Sequence, residues 1–166
     1  MVFELGKPKE KVGNAFTMFF AESTDLRNWK EIPGAVFGKD FYTGSPTLRH
    51  FGDWFYFFYL AGDYRNGFRM RVARSKDLKD WTISPYVVLD YGEIDRRIHP
   101  ALHLNLGIVG KIRRAENINA SDFDFCEQDG RLRCCYSWGN QRGTEFLSLA
   151  EVACGEAEFC RRFFEE

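Results

Sequence analysis

Apolar and polar positions alternate in short bursts along this chain, and the densest burst is Trp54-Phe55-Tyr56-Phe57-Phe58-Tyr59-Leu60. Aromatic side chains fit a pleated surface, and no strong helix former precedes Leu60, so the run predicts a strand. Gly44 to Phe51 predicts a second strand ahead of it. Gly52-Asp53 joins the two, since a two-residue hairpin connection needs residues that tolerate positive φ. A third apolar run through Val72 leads into Ala73-Arg74-Ser75-Lys76-Asp77-Leu78-Lys79-Asp80-Trp81 and a fourth strand.

Four short antiparallel strands in about forty residues is the size of one propeller blade, and the pattern recurs. Ser-x-Asp-Leu-x-x-Trp occurs at Ser23, Asp25, Leu26 and Trp29 and again at Ser75, Asp77, Leu78 and Trp81, both times after a predicted strand. Ser and Asp in this spacing satisfy backbone amides in a turn, and Leu and Trp are expected to plug the gap between neighbouring units. A second repeat places Ser121 to Tyr136 on the register of Gly44 to Tyr59. Asp129-Gly130 serves as its hairpin turn, and Ser45 matches Asp122. The repeats cover approximately 16–37, 44–86 and 119–154 of one domain, 1–166. Residues 1–14 read as a loosely held leading segment, and Pro33-Gly34 as a chain-reversing turn. The charged loop Asp90 to Pro100 and the apolar run Ala101 to Val109 lie between repeats. Ala157, Phe159, Cys160, Phe163 and Phe164 mark a short amphipathic C-terminal helix over 156–164. The fold class expected is all-β: a partial β-propeller of four-stranded antiparallel blades with that helix appended.

Composition narrows the partners. Aromatic residues make up 17% of the chain, a content that stacked two-sided sheets accommodate, and the formal net charge is −1. With basic and acidic residues interspersed, nothing points to nucleic acid or an anionic membrane as partner. The N-terminus lacks the apolar segment of a signal peptide, and the longest apolar run is too short to span a bilayer. The expected location is therefore cytoplasmic. The five cysteines lack C-x-x-C spacing, so they read as reduced, partly buried thiols; no metal and no cofactor are expected.

Ser-x-Asp-Leu-x-x-Trp after a strand, Ser45-Pro46-Thr47-Leu48-Arg49 before an aromatic hairpin, and Ser121-Asp122-Phe123-Asp124 followed by Tyr136-Ser137-Trp138-Gly139-Asn140-Gln141 together resemble the five-bladed β-propeller glycoside hydrolases of the family 43 and 32 type. The similarity runs from about Phe16 to Phe164. It implies a funnel on the propeller axis where three carboxylates from different blades serve as base or nucleophile, as proton donor, and as tuner of the donor. The chain departs from that pattern in holding about three blades, and in carrying Ser45 where the family's motif wants an acid.

Glycoside hydrolysis needs one carboxyl group to donate a proton while another stays ionised. Asp122 is the first candidate. Asp124, two residues on, is expected to share its strand face, and Glu93 in the charged loop is a candidate proton donor. Trp138, Asn140, Gln141 and Arg142 combine an aromatic face with amide and guanidinium groups, the composition of a carbohydrate subsite, and Ser45 joins them as a substrate-binding position. The expected partner is an oligosaccharide or glycoside, hydrolysed or bound at the axis. The alternative is a non-catalytic carbohydrate-binding or assembly module. In either case a second copy could close the open blade edges.

Overall fold

The strand Trp54–Asp63 (β5) is buried on both faces, and the molecule is built outward from it. A computed structural model describes residues 1–14 and 16–165. Side chains alternate across a strand, so Phe57 and Tyr59 enter one core while Tyr56, Phe58 and Leu60 enter another. This two-sided burial explains why β5 is apolar without interruption.

The fold is mostly β, in three antiparallel meanders. The first contains Val2–Leu5 (β1), Thr17–Glu22 (β2) and Lys30–Phe37 (β3), in the order β1-β2-β3. The second contains Gly44–Phe51 (β4), β5, Gly67–Ser75 (β6) and Thr82–Leu89 (β7). The third contains Asn119–Gln128 (β8), Arg131–Gly139 (β9) and Glu145–Val152 (β10). A parallel bridge between Phe68 and Asn119 ties the second meander to the third, reinforced where the Phe68 amide donates to the Ile118 carbonyl at 2.8 Å. Two helices complete the chain, Leu106–Arg114 (α1) and Glu156–Arg161 (α2).

Met18, Phe20 and Phe37 pack with Phe57, Tyr59, Ala73 and Trp81 between the first and second meanders. Between the second and third, Tyr56, Phe58, Met70 and Val72 meet Phe123, Phe125, Leu132, Tyr136 and Trp138, with Phe159 and Cys160 of α2 sealing one end. Glu156 and Glu127 hold α2 on β8 reciprocally, each carboxylate accepting the other residue's amide at 3.0 Å.

The two Ser-x-Asp-Leu-x-x-Trp copies form the same loop. Ser75 Oγ accepts the Leu78 amide at 2.9 Å, and Asp77 Oδ1 accepts those of Lys79 and Asp80, each at 2.9 Å. Ser23 and Asp25 repeat these bonds toward Leu26, Arg27 and Asn28. Leu26 and Leu78 both take a positive φ. The plugging role holds only for the second copy. Leu78 is 7% exposed and Trp81 stacks on Phe20, whereas Leu26 is 78% exposed and Trp29 39%. The first meander has no neighbour on that side among the described residues. Ser75 is fully buried, so Ser75→Ala strands the Leu78 amide. A loss of about 1–2 kcal/mol in urea unfolding is expected, with Ser23→Ala losing less.

The matched loops also align the meanders strand by strand. β2 and β3 correspond to β6 and β7, so β1 corresponds to β5. Among the described residues the first meander then has no counterpart of β4, and the third none of β7. Two expectations are corrected here. Residues 2–5 are a paired strand, held by β2 in the register Val2 to Phe20 through Leu5 to Thr17. Pro33-Gly34 lies inside β3, where Gly34 takes a φ of 78° beside a register shift; it bends the strand and does not reverse it. Part of the apolar run 101–109 is helical, because Asn105 Oδ1 caps α1 by accepting the Ile108 amide at 2.9 Å.

Candidate functional site

Asp122 and Ser45 occupy the same position of two successive meanders, and both are distorted in the same way. Register shifts fall between Ser121 and Asp124 on β8 and between Gly44 and Thr47 on β4. At these bulges Asp122 has φ 51° and Ser45 φ 48°. A non-glycine residue held there stores strain of about 1–3 kcal/mol, and such strain clusters where a side chain must be re-aimed. Here the bulges turn two side chains toward each other: Ser45 Oγ donates to Asp122 Oδ1 at 2.8 Å.

The second Asp122 oxygen is held as well. Gln141 Nε2 donates to Asn119 Oδ1 at 2.9 Å, Asn119 Nδ2 to Ser121 Oγ at 2.8 Å, and Ser121 Oγ to Asp122 Oδ2 at 3.0 Å. Asn119 and Ser121 are buried, so this relay fixes the carboxylate from behind while its front faces a cleft. The cleft is about 250 Å³ and is lined by Glu4, Phe16, Tyr42, Gly44, Ser45, Leu60, Asp122, Gln141 and Glu145.

Three carboxylates therefore share one cleft, from β1, β8 and β10. Burial, then the negative charge of Asp122, pushes the Glu145 carboxyl above the ordinary carboxylate range, opposed by the Gln141 amide. Burial also raises Glu4, as does Asp122, against the Ser45 amide. The Tyr42 phenol is raised by burial and by the charges of Glu4, Tyr64 and Asp122, so it stays a proton-bearing donor. Among the described residues no group of three or more His, Cys, Asp or Glu is arranged to hold a metal ion.

A tight turn delivers Glu145. Gly139 has φ 150°, and a Cβ there would lie 2.1 Å from the Thr144 carbonyl oxygen; Gly62 makes the same approach to Gly67 in the second meander. Only glycine fits these pinches. Asn140 Oδ1 accepts the amides of Arg142 and Thr144 at 2.9 and 3.1 Å, closing the turn.

The sequence-derived candidates divide accordingly. Asp122, Ser45 and Gln141 come together in the cleft. Asp124 is exposed like Asp122, on the side of β8 opposite the buried Phe123 and Phe125, but it lies outside the cleft: it pairs with Arg49 at 2.6 Å beside a separate depression. Glu93 lies in a short 3-10 turn, 90% exposed and paired with Arg96. Asn140 is engaged in its own turn, and the Arg142 guanidinium covers the Tyr64 ring at 5.0 Å. Trp138 is 1% exposed and its ring packs at a tilt against Phe146, so it is a core residue and not a sugar platform. Glu4, Glu145, Tyr42 and Phe16 join the site without any motif that marks them for it.

Raised carboxyls make a testable mark on stability. The folded state binds the Glu145 proton more tightly than the unfolded chain does, so this group's stabilising contribution is complete below the ordinary carboxylate pKa and disappears as pH rises through the folded value. Glu145→Gln is expected to raise the melting temperature at pH 7 and to lose that advantage near pH 4. A lower melting temperature at pH 7 would contradict the assignment.

No protein-family model matches the chain, and no curated protein matches it. Solved structures share its fold. One described as a glycoside hydrolase superposes with a TM-score of 0.54 at 16% identity, covering 94% of this chain and 47% of its own. A BT0996–RGII complex gives 0.55 at 17%, covering 95% and 47%. Zg3597, a family 117 glycoside hydrolase from the marine bacterium Zobellia galactanivorans, gives 0.53 at 16%, covering 83% and 38%. The chain spans less than half the length of each.

Proposed function

We propose that this chain is part of a β-propeller of the glycoside hydrolase kind and that it hydrolyses a glycosidic bond at the Glu4–Asp122–Glu145 cleft. The observation that carries the reading is the convergence of three carboxyl groups in one cleft, one aimed by two hydroxyl donors and two raised in pKa. Hydrolysis divides the work in that way. Asp122 is the base or nucleophile, fixed by Ser45 and Ser121. Glu145 is the proton donor, since a raised pKa keeps a carboxyl protonated nearer neutrality. Glu4 is the third acid, and Phe16 and Tyr42 offer apolar ring faces to the C–H surface of a sugar. Fold likeness is the analogy behind the reaction class, and the side chains are what support the roles.

A binding-only reading is favoured by one observation: Ser45 stands where the neighbouring meander places Asp122, so one of two equivalent positions has no carboxylate. Turnover of a panel of aryl-glycosides and oligosaccharides separates the readings. Hydrolysis that is lost in Asp122→Asn is the expected result. Saturable binding without any product would establish the second reading, and neither binding nor product on the whole panel would end both.

A further inference from the structure

Beside the carboxylate cleft lies a wider one of about 540 Å³, lined by Lys111, Arg114, Ala115, Glu116, Asn140, Gly143, Thr144, Glu145 and Phe146. The turn from Asn140 to Thr144 is the wall between them. Gln141 faces the narrow cleft, Asn140, Gly143 and Thr144 face the wide one, and Glu145 belongs to both. We infer that the wide cleft is a subsite for an acidic sugar residue, one bearing a carboxylate or a sulfate, adjoining the bond presented to Glu145. This inference rests on the carbohydrate reading above and specifies the substrate class.

Charge and geometry carry it. Lys111 and Arg114 lie three residues apart on α1 and so project from one face of the helix. Among the described residues neither forms a salt bridge, so both charges are available to the cleft. The Arg114 guanidinium lies back along the helix over Gly110, where a Cβ would come within 3.1 Å of its Nη2. The missing side chain at Gly110 leaves the planar fork room beside the cleft. A guanidinium so placed matches a carboxylate or sulfate with two parallel hydrogen bonds, and Lys111 adds a point charge. Glu116 and Glu145 balance the two cations around the lining. An anion is then recognised by short-range pairing at the cationic wall and not by a long-range field. A cleft of this volume falls in the range of small-ligand sites.

The test is an array of oligosaccharides in four classes: neutral, uronate-bearing, the same uronates as methyl esters, and sulfated. It is read with the full chain and with Lys111→Ala/Arg114→Ala, and hits are titrated calorimetrically. The uronate or sulfate class is expected to bind at least tenfold more tightly than the neutral and esterified ones, and the responding class names the anion. The double variant is expected to lose that preference while keeping its melting temperature and its affinity for neutral glycans. Equal binding of acid and ester, or an undiminished preference in the double variant, overturns the inference and leaves the carbohydrate reading standing. Silence across all four classes overturns both.

Discussion

For the hydrolysis proposed at this cleft, Asp122→Asn is expected to reduce turnover by about a thousandfold, the middle of the range for losing a positioned acid–base group. Asparagine has nearly the same shape, and its carbonyl oxygen can still accept from Ser45 Oγ, which donates to Asp122 Oδ1 at 2.8 Å in the native chain. The amide nitrogen cannot accept from Ser121, so one hydrogen bond of the relay is lost along with the charge. The fold should survive, because Asp122 is exposed and contributes no apolar packing. An unchanged melting temperature with lost turnover is the signature. Ser45→Ala is expected to have a much smaller effect, since it removes one orienting donor and leaves the carboxylate. Glu145→Gln completes the comparison. If Glu145 is the proton donor, its raised pKa sets the alkaline limb of the pH–rate profile, and the variant loses that limb. Turnover in Asp122→Asn within threefold of wild type, with the same pH profile, would remove Asp122 from the reaction.

The distribution of the site explains why only part of it is legible in the sequence. Asp122 and Ser45 lie on repeated motifs, so aligning one repeat on another brings them out, while Gln141 is picked out by the composition of its loop. Glu4 lies on a strand of four residues followed by a polar, glycine- and lysine-containing stretch. So short a strand has almost no periodicity, and it exists because β2 offers it an edge. Glu145 is visible as an acid at a strand start, yet no local signal tells which cleft such an acid faces. The pinch at Gly139 decides that, through contacts made only in the folded chain. The carboxylates thus converge through tertiary structure, from positions as far apart as 4 and 145.

The Asn105 cap preceding α1 is present in the sequence, but the apolar run around it masks the helix start. Simple alternation places Asp124 with Asp122, and both are indeed exposed on either side of the buried Phe123, but only Asp122 lines the cleft. The bulge is legible only in pairing, where Ser121 opposes Ser137 and Asp124 opposes Cys135.

Trp138→Ala is expected to cost about 3–5 kcal/mol of stability and to leave intrinsic affinity for any glycan unchanged in the fraction that remains folded. Strand parity is the reason. Leu132, Cys134, Tyr136 and Trp138 follow one another at intervals of two on β9, and all four are buried, at 0%, 3%, 7% and 1% exposure. They form one inward face, and Trp138 is its largest member, with its ring centroid 4.9 Å from that of Phe146 on β10. Removing the indole opens a cavity between β9, β10 and the Ile112 side of α1, which packs into the same core. Against a total stability of about 5–15 kcal/mol for a domain, that loss should move the urea midpoint far enough to leave a measurable unfolded fraction in dilute buffer. Trp138→Phe fills part of the space and is expected to recover about half of the loss. A midpoint that stays put in Trp138→Ala while glycan affinity falls would return this ring to the sugar-binding role that its polar neighbours Asn140, Gln141 and Arg142 suggest by composition alone.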